Sequence, residues 1–182
     1  MAKVMNKADE GRYAKARMKE AEMRREELKS FCIAENGWTL FDISDPFDLG
    51  DFTYATNGHI SIRTPRIDDG ISSDGRKIPN IEKVFTDAIE PEEYIPVPDP
   101  GPIIVEVCDK CWEGPDCECE GTVFIEPLSY LKVGKQCFQR KYLRLLRTLP
   151  DVEIGPTDGM NPARFRFSGG DGVIMPIDPK RM

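Results

Sequence analysis

The chain has 182 residues and a formal charge of −7, from 25 Lys and Arg against 32 Asp and Glu. That length supports one core with small additions and is short for two full domains, and the acidic balance argues against general affinity for nucleic acid. No apolar run is long enough to span a bilayer and the opening residues lack the apolar centre of a secretory signal, so a cytoplasmic chain without membrane attachment is expected.

Residues 1–30 carry nine Lys and Arg against six Asp and Glu, which leaves −10 for the remainder. From residue 7 to 30 the chain is rich in Ala, Lys, Glu, Arg and Met, with no proline and only Gly11, and this predicts a helix. Its apolar set, chiefly Tyr13, Ala14, Met18, Ala21 and Leu28, is thin, so the helix is expected to lie on a surface or project as an arm. From Phe31 the pattern changes to short strands between turn residues, FCIAENGWTLFDI and then DFTYATNGHISIRTP. In the second run Phe52, Tyr54 and Thr56 alternate with Thr53 and Ala55. Asn57-Gly58 then predicts a tight turn or bulge before Ile60 and Ile62 resume the alternation.

Between Glu82 and Glu126 stand thirteen acidic residues and two basic ones. Within this stretch Pro91 to Pro102 contains five prolines and is expected to be an extended connector. Strands are predicted at Ile103–Val107 and Thr122–Ile125, on either side of CDKCWEGPDCECEG. The spacing Cys108-x2-Cys111-x5-Cys117-x-Cys119 offers four soft thiolate ligands, and Gly114 and Gly121 follow each pair where a turn must aim backbone amides at sulfur. A structural zinc (Zn) knuckle at about 106–122 is the leading expectation; redox disulfides and a catalytic zinc are alternative uses of the same thiols, although four thiolates close the metal's shell to water. Cys32 and Cys137 stand alone in apolar surroundings, which fits a reducing compartment better than a disulfide scaffold.

In FQRKYLRLLRTLP, helical spacing puts Phe138, Tyr142, Leu145, Leu146 and Leu149 on one face and Arg140, Arg144 and Arg147 on the opposite one, with Lys141 at the edge and Pro150 as the stop. From Lys132 to Arg147 there are six basic residues and no acidic one. Such a strip is either a local field for an anionic partner or an ordinary solvated helix face. Three strand-like runs follow, DVEIG, ARFRF and GVIMPI, separated by the turns GPTDGMNP and SGGDG. The single histidine, His59, would have to serve any Cys-His or Ser-His nucleophile. No Gly-x-Ser-x-Gly, phosphate-cradling loop or convincing carboxylate pair accompanies it, so an enzyme is not expected. Taken alone, His59 is a turn or half-buried strand residue.

The run ATNGHISIRTPR, Ala55 to Arg66, resembles the Ala-Thr-Asp-Gly-His-Arg-Leu-Ala signature of the bacterial DNA polymerase III sliding clamp (beta subunit) family, with Ile60-Ser61 in the place of Arg-Leu. GVIMPIDPKRM is similar to that family's closing Val-Val-Met-Pro-Met-Arg-Leu, and VGKQCFQRKYLRLLRTLPDVEIGPTDGMNPARFRF is similar to the strand, helix and strands between. The resemblance covers roughly residues 31–66 and 123–177. It implies an α+β, sliding-clamp-type domain at 31–182, an antiparallel sheet with helices on one side, to which the 1–30 helical extension and the inserted zinc knuckle are additions. It also implies that Arg140, Lys141, Arg144 and Arg147 face duplex DNA. Thr56, Gly58 and His59 would form one wall of a cleft for partner peptides, and Ile174, Met175 and Pro176 the other.

On this likeness the chain is expected to be a non-enzymatic DNA replication or repair accessory, phage or mobile-element encoded, that binds duplex DNA weakly and without sequence preference, together with replication or repair proteins. A ring of the bacterial kind would need about six copies of one such domain, a homo-oligomer. The alternative is a protein-binding adaptor or inhibitor of clamp-like shape that does not encircle DNA. A zinc-dependent nucleic-acid reader is disfavoured because Glu113, Asp116, Glu118 and Glu120 surround the thiols and would repel phosphate.

Overall fold

The computed structural model of the chain describes residues 24–32, 40–68, 75–102, 104–107, 122–125 and 130–181. Most of the strands belong to one antiparallel sheet with the order β1-β2-β3-β11-β10-β9-β4. Its strands are β1 Phe47–Leu49, β2 Phe52–Thr56, β3 Ile60–Pro65, β4 Ile95–Pro96, β9 Glu153–Gly155, β10 Ala163–Phe167 and β11 Gly170–Ile174. Two further antiparallel pairs stand apart, β5 Ile104–Val107 with β6 Thr122–Ile125, and β7 Tyr130–Val133 with β8 Gln136–Gln139. Three short α-helices, α1 Arg25–Lys29, α2 Ile81–Asp87 and α3 Arg140–Leu146, and a 3-10 turn at Pro179–Arg181 complete the elements of the described residues. The fold is therefore α+β.

The sheet is buried on both faces, which corrects the expectation of helices on one side only. Successive strand residues point to opposite faces. Ala55 and Ile174 pack with α1 and α3, whereas their neighbours Tyr54 and Val173 pack with α2. The first face gathers Ile60, Ile62, Ile154, Ala163 and Phe165 under Leu28 and Phe31 from the α1 segment and Tyr142, Leu143 and Leu146 of α3. The second gathers Phe47, Tyr54 and Val173 under Ile81 and Phe85 of α2.

The α1 segment is no projecting arm over its described residues: Leu28, Phe31 and Cys32 are all buried. It is also fixed by charge. Arg25 donates to both carboxylate oxygens of Asp48 on β1 (3.1 and 3.0 Å) and to the Pro46 carbonyl, and Asp48 accepts from Thr53 Oγ1 at 2.6 Å. Of the first strand-like run, Phe31, Cys32 and residues 40–43 are turn or irregular chain.

In α2, Ile81 and Phe85 lie one turn apart on the buried side and the Asn80 side chain accepts from Lys83 N. The carbonyls of Phe85 in its last turn and of Ala88 just beyond it accept from Arg164 on β10, a cation at the end where the helix dipole is negative. The α3 helix starts at Arg140, two residues later than Phe138. Phe138 is buried as a β8 strand residue, and Leu143 takes the inward place expected of Leu145, which is only half-buried.

A row of side chains on the α2 face crosses the sheet in register: Glu153, Arg166, Asp171, Arg63, Tyr54, Phe47. Arg166 pairs with Glu153 at 2.7 Å, and Arg63 pairs with Asp171 through two donors at 2.7 and 3.0 Å. The Arg63 guanidinium also lies 4.7 Å from the Phe52 ring centroid and 4.4 Å from that of Phe85. Among the described residues no helix is long and apolar enough to cross a membrane.

Candidate functional site

The two stretches that carry the family resemblance meet. Ile60 and Ile174 are opposite residues in the β3–β11 pairing, and just beyond them Met175 N donates to the His59 carbonyl at 2.8 Å. Thr56, Gly58 and His59 therefore adjoin Ile174, Met175 and Pro176 within one domain. The chain continues past β8, where Ile177 N donates to the Cys137 carbonyl.

Local chemistry explains most of the Thr-Asn-Gly-His spelling. Thr56 Oγ1 donates to Ile60 O and accepts from Gly58 N, while Asn57 Oδ1 accepts from the amides of His59 and Ile60 at 3.0 and 2.9 Å. Gly58 has φ +87°, a conformation that other residues adopt at a cost. Thr56, Ile174 and Pro176 are buried, so they shape the site from below. The side chains of His59 and Met175 are half-buried and reach the surface.

His59 stacks on Tyr142 of α3, centroids 5.2 Å apart, and Lys141 Nζ lies 5.0 Å from the same Tyr142 ring. Tyr142 was expected only to fill the core, and Lys141 only to face DNA. Their role beside His59 could not be found from helical spacing, because it depends on where α3 crosses the β2–β3 turn.

The predicted cationic face lies on the outer side of α3, and its arginines have specific partners. Arg140 donates to the carbonyls of Tyr130 and Pro100, Arg144 to Gly101 O at 3.1 Å, and Arg147 to Val97 O at 3.1 Å. The acceptors at 97, 100 and 101 belong to the proline-rich connector, which crosses α3 as a strap. Gly101 has φ +79°, and a Cβ added to it would sit 3.3 Å from Arg140 Nη1. Carbonyl acceptors satisfy guanidinium donors without removing their charge. Lys141 is exposed on the same helix.

Cys108, Cys111, Cys117 and Cys119 lie outside the described residues. What the structure gives is their frame: Val107 and Thr122 are opposite residues at the end of the β5–β6 pair, so the thiol-bearing segment leaves and returns at one point. Among the described residues no cluster of His, Cys, Asp and Glu could hold a metal ion. Cys32 is buried against the sheet, and burial pushes its thiol up to about 11, which keeps it neutral and unreactive at physiological pH. No protein-family model, curated protein or solved structure matches the chain.

Proposed function

We propose that this chain is a non-enzymatic DNA replication or repair accessory of sliding-clamp-like form, with a protein-docking surface at the β2–β3 turn and a DNA-facing surface on α3. One observation carries the reading: the Thr56–His59 turn and the Ile174–Pro176 segment, far apart in sequence, adjoin through the Met175-to-His59 hydrogen bond. The stack of His59 on Tyr142 then joins this docking surface to the cationic helix. The four cysteines are proposed to hold a structural zinc that fastens the loop on β5–β6, with no part in a reaction.

The test is fluorescence anisotropy with a peptide copied from the clamp-binding segment of a replicative polymerase. Saturable binding is expected, weakened about tenfold or more by His59→Ala or Met175→Ala, as for removal of a central contact. A peptide that fails to bind even at high concentration removes the docking reading.

The second reading, an adaptor or inhibitor that never encircles DNA, is favoured by the engagement of Arg140, Arg144 and Arg147 with the strap. Light scattering across a range of protein concentrations, with and without duplex DNA, separates the two. A closed oligomer supports the ring, and a monomer under both conditions supports the adaptor.

A further inference from the structure

The strap from Val97 to Pro102 is poor in donors. Pro98, Pro100 and Pro102 have carbonyls but no amide hydrogens, so the segment must be satisfied from outside. Among the described residues, its main-chain bond to the body is Val97 N to Val152 O, and at 3.5 Å that bond is at the long limit. Among the described residues it is also held by burial of Val97 and Pro100 and by the donors of Arg140, Arg144 and Arg147. The strap thus depends on three of the four cations of α3, the exposed Lys141 being the fourth. A guanidinium donates more strongly to a phosphate oxygen than to a neutral carbonyl, and can do so through two parallel bonds.

We infer that Val97–Pro102 is a latch that occupies Arg140, Arg144 and Arg147 in the free protein, and that the phosphates of duplex DNA take over these donors and release it. The latch rests on the reading of α3 as a DNA-facing helix. It lowers DNA affinity by the free energy of strap docking, and it transmits occupancy of α3 to the β5–β6 hairpin, which begins at Ile104. An acidic chain with a closed basic face would then stay off DNA until the local phosphate concentration is high.

Hydrogen exchange of the full chain, with and without a duplex oligonucleotide at low ionic strength, reads the strap through the amides of Val97, Asp99, Gly101 and β5. A companion variant, Pro98→Gly/Pro100→Gly, keeps every arginine and carbonyl but gives the released strap more conformational freedom. It is expected to bind duplex about five- to tenfold more tightly. DNA should accelerate strap exchange while slowing exchange at α3.

Duplex binding with strap exchange unchanged or slowed overturns the latch and leaves the DNA reading standing. Binding by the variant alone supports a latch that is fully closed in the natural chain, whereas binding by neither protein overturns both. Equal affinity of the two proteins also overturns the latch, provided that α3 exchanges equally slowly in both without DNA. If the variant loses that protection, the exchange result on the natural chain decides.

Discussion

Gly170 and Gly172 on β11 stand opposite Phe167 and Phe165 on β10, and the rings lie over the space the glycines leave. A Cβ on Gly172 would sit 2.1 Å from Phe165 Cζ, so Gly172→Ala must displace a fully buried ring. The expected loss is about 1–3 kcal/mol, read by urea denaturation. In the sequence SGGDG registered only as a turn, because a glycine whose purpose is to make room for a ring on the next strand carries no local signal. The Arg25–Asp48 pair makes a second prediction: Arg25→Met strands a buried carboxylate and should cost about 3–5 kcal/mol, much of which the double change Arg25→Met/Asp48→Leu should restore. Cys32 makes a third. A thiol whose pKa is higher folded than unfolded is neutral in both states at neutral pH. The unfolded chain ionises first as pH rises through about 9, and stability is lost from there to about 11. Between about pH 8.5 and 10 the natural chain should lose roughly 1 kcal/mol more than Cys32→Ala. Tyr94, pushed up to about 12 by burial, adds its own loss only at higher pH.

At the scale of elements, β2, β3, β10 and β11 were legible because each joins a short alternating run to a clear turn. Which layer lay on which face was not legible, since both faces of β2 mix apolar residues with threonine and alternation alone does not tell a helix-covered face from another. The α2 helix was missed altogether. Its cap Asn80 and the pair Ile81 and Phe85 were present, but a helix of seven residues inside an acidic stretch offers barely two turns of periodicity. On α3 the apolar-against-basic division was visible, yet the partners of the arginines were not, because the strap that accepts from them lies some forty positions earlier. The α1 segment shows the converse, for the thin apolar pattern of residues 7–30 left open a helix lying on a surface or projecting as an arm, and only the structure shows Leu28 completely buried. Leu28→Ala should therefore cost about 2–5 kcal/mol, measured as a shift of the global unfolding midpoint. For the β5–β6 hairpin, Cys111→Ser is expected to lose bound zinc by metal analysis while the far-UV spectrum of the sheet is retained. Full metal content in that variant would refute the zinc assignment.

At the scale of the molecule, the uneven charge of the sequence has a structural use that counting could not anticipate. Arg25, Arg66, Arg76, Arg140, Arg144, Arg147 and Arg164 all donate to main-chain carbonyls of turns, helix ends or connectors. Two of the accepting segments contain Pro46 and Pro100, where the chain itself supplies acceptors without matching amides. The basic strip is thus part of the scaffold, so reversing its charges would disturb the fold as well as the proposed DNA-facing surface. The order of the sheet has a different consequence. β11 lies between β3 and β10, and Arg63 meets Asp171 across 108 positions of sequence. While the chain is being synthesised, β2 and β3 can pair early, but the outer edge of β3 waits uncovered until residue 174 has left the ribosome. Such long-range closure folds slowly, and it exposes an apolar strand edge throughout translation. Yield in cells should accordingly depend on chaperone supply and growth temperature more than the stability of the finished protein would suggest.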